Sequence, residues 1–234
     1  MNAPPGGRTE WTANSLLSTL PNATTTELLT LGTSCEFDAG QVLVREDDTT
    51  THVYVLLTGC TKVTATTPEG GFALLAIRGG GDVIGELAGL DGQPRSATVT
   101  TVNRVRARVL SQATFQNFLS RHPDAALAIS RSVGAKLRWA TRRRVDFSGR
   151  EVRVRLARVL VELAGVYGLA TSDGVELGVA LTQPELAGLV SAAEPTVHKA
   201  LAGFRRHRLI SIGYRRTVIT DLPALRAVAG LDPH

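Results

Sequence analysis

The sequence predicts an α+β chain in three parts: an N-terminal antiparallel β-roll of jelly-roll type over residues 1–120, a long helix with a hinge over 121–149, and a C-terminal winged helix-turn-helix over 150–234. Three observations predict it. Short runs rich in Val, Leu, Ile and Thr alternate with glycine-rich turns, about ten residues apart, between Cys35 and Leu110. An apolar spacing of 3 and 4 takes over after Pro123. Near residues 182–206, two segments that each carry proline in their first turn are separated by a three-residue connection.

At 234 residues the chain is long enough for two domains. With 43% hydrophobic and 20% charged residues it is an ordinary globular composition, which excludes a disordered chain, a collagen-like fibre and a coiled-coil rod. Cys35 and Cys60 are too few for a disulfide scaffold and lack the C-x-x-C spacing of a zinc or iron-sulfur site, so a reduced compartment is expected. No apolar run approaches the ~18 residues of a membrane span, and residues 1–21 lack the basic-then-apolar order of a signal peptide. A soluble, cytoplasmic protein with no membrane partner is the expectation. Asn22-Ala23-Thr24 matches a glycosylation acceptor by chance.

The elements follow in order. Thr24 to Leu31 is expected as a short helix, with Thr24 and Glu27 in the arrangement of a capping box. The strands are expected at 42–44, 53–57, 72–77, 83–84, 97–102 and 105–110, with turns at Asp38-Ala39-Gly40, Asp47-Asp48, Thr58-Gly59, 68–71, 79–82 and 91–94. Ala126, Ile129, Val133, Leu137 and Ala140 then form the narrow stripe of a coiled-coil seam, with Asp124 at the positive end of the helix dipole and Arg131, Arg138, Arg142 and Arg143 on the other face. Such a stripe buries against the roll or against a second copy; about six turns exceed what a small roll covers, which favours a homodimer. Asp146-Phe147-Ser148-Gly149 is expected to break the helix as a hinge or C-cap.

The third part holds the most specific local pattern. Thr182 is a candidate N-cap, Pro184 sits in the first turn and Glu185 closes a T-x-x-E capping box. Val190 points inward, Ser191-Ala192-Ala193 makes the connection, and a second helix from Glu194-Pro195-Thr196 carries Val197, Leu201 and Phe204 on one face. A helix-turn-helix places the N-terminal side chains of its second helix at base edges in the major groove. Here those are Glu194, Pro195, Thr196, His198 and Lys199, with Thr182 and Gln183 at the start of the first helix. Residues 209–212 and 217–220 form a two-stranded wing whose tip offers Arg215 and Arg216 to phosphate, beside Arg205, Arg206 and Arg208.

Charge agrees. Residues 1–120 carry a net −3, residues 121–149 a net +5 and residues 150–234 a net +3. An acidic front and a basic back suggest that the back meets a polyanion, most simply nucleic acid, although a solvated surface with no partner would carry the same asymmetry; the helix-turn-helix makes the expected partner double-stranded DNA. In the roll, Gly81-Asp82-Val83-Ile84-Gly85-Glu86-Leu87 followed by Arg95-Ser96-Ala97 combines exposed backbone N–H groups, a guanidinium fork and a hydroxyl, the donor set a phosphate diester requires. A carboxylate beside them accepts from a ribose hydroxyl, although a salt bridge between Arg95 and Glu86 would look the same in sequence.

With Gly85-Glu86-Leu87 and Arg95-Ser96-Ala97 in place, followed by a long helix, a helix-turn-helix and a wing, the chain resembles the cyclic-AMP receptor protein (CRP/FNR) family of bacterial transcription regulators from about Thr24 to Thr220. The resemblance implies that Arg95 and Ser96, with nearby amides, hold the phosphate of a cyclic nucleotide, cyclic AMP first among them, while Gly85 and Glu86 meet its ribose. It implies a dimer along the long helix, with Lys136 near the ligand where many members have arginine, and Ala140 and Thr141 facing the base, one of them from the partner subunit. It also implies a palindromic operator and RNA polymerase as a further candidate partner.

The chain departs from the pattern in two places. Typical cyclic-AMP readers carry hydroxyl or amide side chains at both base-facing positions; Ala140 removes one hydrogen bond, about 1 kcal/mol of adenine discrimination. Members that read TGTGA half-sites use an R-E-x-x-x-R arrangement, for which this chain has Glu194, Pro195 and Lys199. Proline cannot accept from cytosine and lysine lacks the fork for guanine, so a different target is expected. No cysteine cluster of the oxygen sensors and no paired Cys and His of the haem-binding members is present. Enzymatic readings fail: no G-x-G-x-x-G or G-K-[ST] pattern occurs, and His52, His122, His198, His207 and His234 are scattered. The remaining rivals are a cupin-type metalloenzyme and a DNA-binding regulator that needs no effector.

Overall fold

A computed structural model describes residues 11, 15–67, 71–213 and 216–231, which divide into two compact units. The first comprises residues 1–63 and 77–132, the second residues 64–76 and 133–234. The predicted fold class holds.

The first unit opens with helices α1 (Leu16–Thr19) and α2 (Asn22–Thr30). Helix α2 starts at Asn22 with Pro21 as its N-cap, three residues before the expected cap, which corrects the Thr24–Glu27 capping box. Thr24 lies inside the helix and is buried, and its hydroxyl donates instead to Asp124 Oδ2 at 2.6 Å. Glu27 pairs with Arg121 and His122. Tertiary partners prevail over a local cap here because both side chains lie on a face packed against the chain near residue 122.

The roll strands are β1 (Thr33–Phe37), β2 (Val42–Val44), β3 (Val53–Thr58), β4 (Cys60–Thr66), β5 (Phe72–Gly79), β6 (Val83–Ile84), β7 (Thr98–Thr101) and β8 (Val105–Leu110). One sheet has the order β1-β8-β3-β6 and the other β2-β7-β4-β5. Strand β3 lies inside its sheet, antiparallel to β8 with Val53 opposite Leu110 and Val55 opposite Arg108. It is buried on both faces, which is why Val53 to Leu57 reads as a continuous apolar run without alternation. Strands β1 and β4, rich in Ser, Thr, Cys and Glu, carry no such signal and find their places by pairing. Helix α3 (Glu86–Asp91) follows β6, and α4 (Gln112–Arg121), capped by Ser111, follows β8 with Phe115 and Phe118 buried.

Helix α5 (Pro123–Gly149) runs 27 residues. The expected break at Asp146-Phe147-Ser148-Gly149 does not occur: the helix continues through Gly149 and yields only at Arg150 and Glu151. A single glycine costs a helix about 1 kcal/mol, and the Asp146 carboxylate, accepting from Arg150 Nε four residues on at 2.8 Å, supports the last turn.

In the second unit, α6 (Val152–Tyr167) and the hairpin β9 (Gly168–Thr171) and β10 (Gly174–Leu177) lead into α7 (Gln183–Val190) and α8 (Glu194–Arg206). Strands β11 (Ile210–Gly213) and β12 (Arg216–Ile219) precede the short helix α9 (Leu222–Val228). The wing is larger than the two strands expected: β12 pairs on its other side with β10, giving a four-stranded sheet β11-β12-β10-β9. Val175 opposite Ile219 supplies the apolar contact that draws the upstream hairpin in. The core of this unit gathers Leu156, Leu160, Leu186, Val190, Val197, Leu201, Phe204, Ile219 and Leu225.

Candidate functional site

The phosphate cassette of the roll is built around a turn and a buried cation. Strand β6 ends at Ile84, and Gly85, at φ 76°, turns the chain into α3. Glu86, the first residue of that helix, is buried, as are Arg95 and Ala97, whereas Leu87 and Ser96 are exposed. Arg95 is 3% exposed. Its guanidinium donates from Nε to Thr50 Oγ1 (3.2 Å), from Nη1 to the Gly85 carbonyl (3.1 Å) and from Nη2 to the His52 carbonyl (2.6 Å). Those three bonds use three of its five N–H groups and leave one on each terminal nitrogen. Burial draws its pKa down, against Tyr54, Asp48 and Glu86, which raise it.

The pair behind Arg95 was not singled out in the sequence. Tyr54 Oη donates to the Leu43 carbonyl at 2.8 Å and lies 2.9 Å from His52 Nε2, so the His52 proton belongs on Nε2 and is given to the phenol. Burial and then Arg95 hold His52 below its ordinary pKa; burial raises Tyr54. The available signal is the two-residue spacing of His52 and Tyr54, which puts both on one face of a strand start.

The cassette fits a cyclic phosphate. Two remaining guanidinium N–H groups, the first amides of α3 and the exposed Ser96 hydroxyl are donors, and Glu86 brings the carboxylate to which a ribose hydroxyl would donate. Lys136, Ala140 and Thr141 lie on the part of α5 that belongs to the second unit; Lys136 is half-buried, Ala140 and Thr141 are exposed, and of those last two only Thr141 offers a hydroxyl.

The helix-turn-helix is as expected locally. Thr182 Oγ1 accepts from Glu185 N at 3.3 Å and Glu185 Oε2 accepts from Thr182 N at 2.7 Å, a complete capping box. Ser191 takes a left-handed conformation at the connection. Helix α8 buries Val197, Leu201 and Phe204, which leaves Glu194, Pro195, Thr196, His198 and Lys199 on the other side. Gln183, Glu194, Pro195 and His198 line one open depression. Arg216, offered by the sequence as a phosphate contact, donates from Nε to Glu176 Oε2 at 2.7 Å; Arg215 lies outside the described residues. Arg205, Arg206 and Arg208 are exposed.

Among the described residues no group of three or more His, Cys, Asp or Glu side chains could hold a metal ion, and no helix is long and apolar enough to cross a membrane.

A roll carrying a phosphate cassette, followed by a winged helix-turn-helix, defines the class of effector-domain transcription regulators. Comparison with known families agrees in both halves: residues 34–122 match the cyclic nucleotide-binding domain and residues 154–228 the Crp-like helix-turn-helix domain. The chain belongs to the CRP/FNR family of transcription regulators. It is 29% identical over 186 residues to a CRP-like cAMP-activated global transcriptional regulator of Mycobacterium tuberculosis, covering 80% of this chain and 83% of that one. A CRP/FNR-family regulator of known structure from Thermus thermophilus superposes with a TM-score of 0.69 at 26% identity, over 85% of this chain and 98% of that one. The fold is shared at 19% identity and a TM-score of 0.73 by a regulator of Xanthomonas campestris described as responsive to cyclic di-GMP, over 85% and 99%.

Proposed function

We propose that this protein is a homodimeric, cytoplasmic regulator that binds a palindromic DNA operator through α7, α8 and the wing, under the control of a cyclic nucleotide held by the roll, with cyclic AMP as the effector. The observation that carries the reading is the state of Arg95: a guanidinium locked in place by three bonds, buried, with two donors still to give beside a left-handed glycine and the start of a helix. Arg95 and Ser96 would hold the phosphate, and Gly85 and Glu86 the ribose. Lys136, Ala140 and Thr141 would complete the site around the base. The cyclic-AMP-activated relative supports this choice, and the regulator family supports a binding protein with no enzymatic step.

The second unit supplies the DNA surface, from Thr182, Gln183, Glu194, Pro195, Thr196, His198, Lys199, Arg215 and Arg216. Dimerisation is supported by the apolar side chains that α5 leaves in solvent, Leu137 at 67% and Val145 at 66% exposed. RNA polymerase is the partner through which a DNA-bound regulator of this class would act on transcription.

Isothermal titration with cyclic AMP, cyclic GMP and cyclic di-GMP tests the effector, and the same titration on Arg95→Ala tests the cassette. Binding of cyclic AMP, lost in the variant, is expected; heat from none of the three would overturn the effector assignment. A second reading, a regulator needing no effector, is favoured by one observation: Arg95 already satisfies three oxygens of the roll and so has a structural role of its own. DNA binding at full strength without any nucleotide would select it.

A further inference from the structure

In the second unit the first half of β5 packs against the helix-turn-helix. Leu74 of β5 is 3% exposed and belongs to the same core cluster as Leu186, Leu189 and Val190 of α7. Strand β5 is the edge of its sheet, so an outward carbonyl there has no ladder partner. The last carbonyls of α7 likewise lack intrahelical partners. Arg143 of α5 joins the two: Nη1 donates to the Leu75 carbonyl at 3.0 Å and Nη2 to the Leu189 carbonyl. Its guanidinium stacks 4.1 Å from the Trp139 ring, and although burial lowers its pKa to about 10, against Glu162, which raises it, Arg143 remains charged at neutral pH beside the negative end of the α7 dipole. The two backbones meet at Gly188, where a Cβ would lie 2.9 Å from Leu74 N.

We propose that Arg143 is a positioning residue, fastening the edge of β5 to the end of α7, and that this docking sets how the first helix of the helix-turn-helix is presented to DNA. Strands β4 and β5 continue in the chain into the roll, so an effector bound there, a step that rests on the function proposed above, acts on DNA affinity through this clamp. The recognition face stays open while the hairpin is docked, because Gln183 and His198 are exposed. The clamp therefore tunes the DNA surface without covering it.

Gly188→Ala separates the clamp from simple stability, since alanine favours helix over glycine and improves α7 while its Cβ meets the β5 backbone. Hydrogen exchange on full-length Gly188→Ala and Arg143→Ala should show faster amides at residues 72–76. The ratio of DNA affinities with and without saturating cyclic AMP should fall about tenfold from the wild-type ratio. Arg142→Ala, an exposed neighbour on the same helix, should change neither. Unchanged exchange at 72–76 in both clamp variants, or an unchanged affinity ratio despite faster exchange, overturns the proposal. A wild type whose DNA affinity ignores cyclic AMP, with exchange still faster in both variants, sustains the docking and removes only the effector reading.

Discussion

Gly85 and Arg95 occupy one another's space. The glycine lies at φ 76°, its carbonyl accepts from Arg95 Nη1 at 3.1 Å, and a Cβ built on it would run into that same nitrogen and stand 3.1 Å from the His52 carbonyl. Glycine is required twice, by the backbone angle and by the guanidinium. Gly85→Ala should therefore displace Arg95 and weaken cyclic-nucleotide binding at least tenfold while the DNA-binding unit keeps its fold. Arg95→Ala should cost about 2 to 3 kcal/mol of binding if the phosphate bond is made. It should also lower the melting temperature, because the His52 carbonyl and the Thr50 hydroxyl lose the bonds from Arg95, and the Gly85 carbonyl keeps only the one from Gly89 N. Calorimetry and thermal melts on the two variants check both; equal affinity in all three proteins refutes the cassette.

The second prediction concerns pH. His52 is held below its ordinary 6.5 by burial and by Arg95, and it gives its Nε2 proton to Tyr54. With a folded-state pKa below the unfolded one, the group contributes nothing above pH 6.5, where both states are neutral. As pH falls through that value the unfolded chain takes up a proton that the folded roll refuses, so stability is lost until the lower folded-state pKa is passed. The melting temperature of the wild type should fall more between about pH 7 and about pH 5.5 than that of His52→Gln, whose amide can still donate to Tyr54. Parallel curves would show that His52 does not carry the loss.

The third prediction separates the seam of α5 into two kinds of residue. Ile129 is 3% exposed within one protomer, whereas Leu137 is 67% exposed. Aspartate at 129 should unfold the first unit; aspartate at 137 should leave each protomer folded and convert dimers to monomers. Sedimentation with far-UV circular dichroism distinguishes the two. A wild type that is monomeric at micromolar concentration removes the dimer altogether.

How much of this was legible in the sequence depended on whether the cause was local. The capping box at Thr182 and Glu185, with proline in the next turn, is a short-range pattern and the structure reproduces it. The similar pattern at Thr24 and Glu27 failed because Asp124, one hundred residues away, took the Thr24 hydroxyl. Strand β3 was visible because burial on both faces makes it uniformly apolar, while β1 and β4, polar and held by neighbours, were not. The proposed cassette stands out in the sequence because glycine, arginine and hydroxyl fall within a dozen positions. Arg143 was placed on a cationic face, and nothing in the spacing of α5 signals that its fork joins a strand edge to a helix end.

The last prediction concerns DNA. Two recognition helices related by a dimer axis must enter successive major grooves about 34 Å apart, so the operator should be an imperfect palindrome. Its half-site should not be TGTGA, because Pro195 offers cytosine no acceptor and Lys199 offers guanine a single point charge in place of a fork. Lys199→Ala should relax preference at one base pair, by roughly 1 to 3 kcal/mol. Arg216 stands differently: it is held by Glu176 at 2.7 Å and must change partner to reach a phosphate. Arg216→Ala should weaken all sequences alike and reduce the salt slope by about 0.9, whereas Glu176→Gln, which removes the competing carboxylate, should strengthen them alike. Selection from random DNA followed by titrations at several salt concentrations measures all of these. An asymmetric selected site, TGTGA half-sites indifferent to Lys199→Ala, or a Glu176→Gln variant that binds more weakly would each contradict this account of the surface.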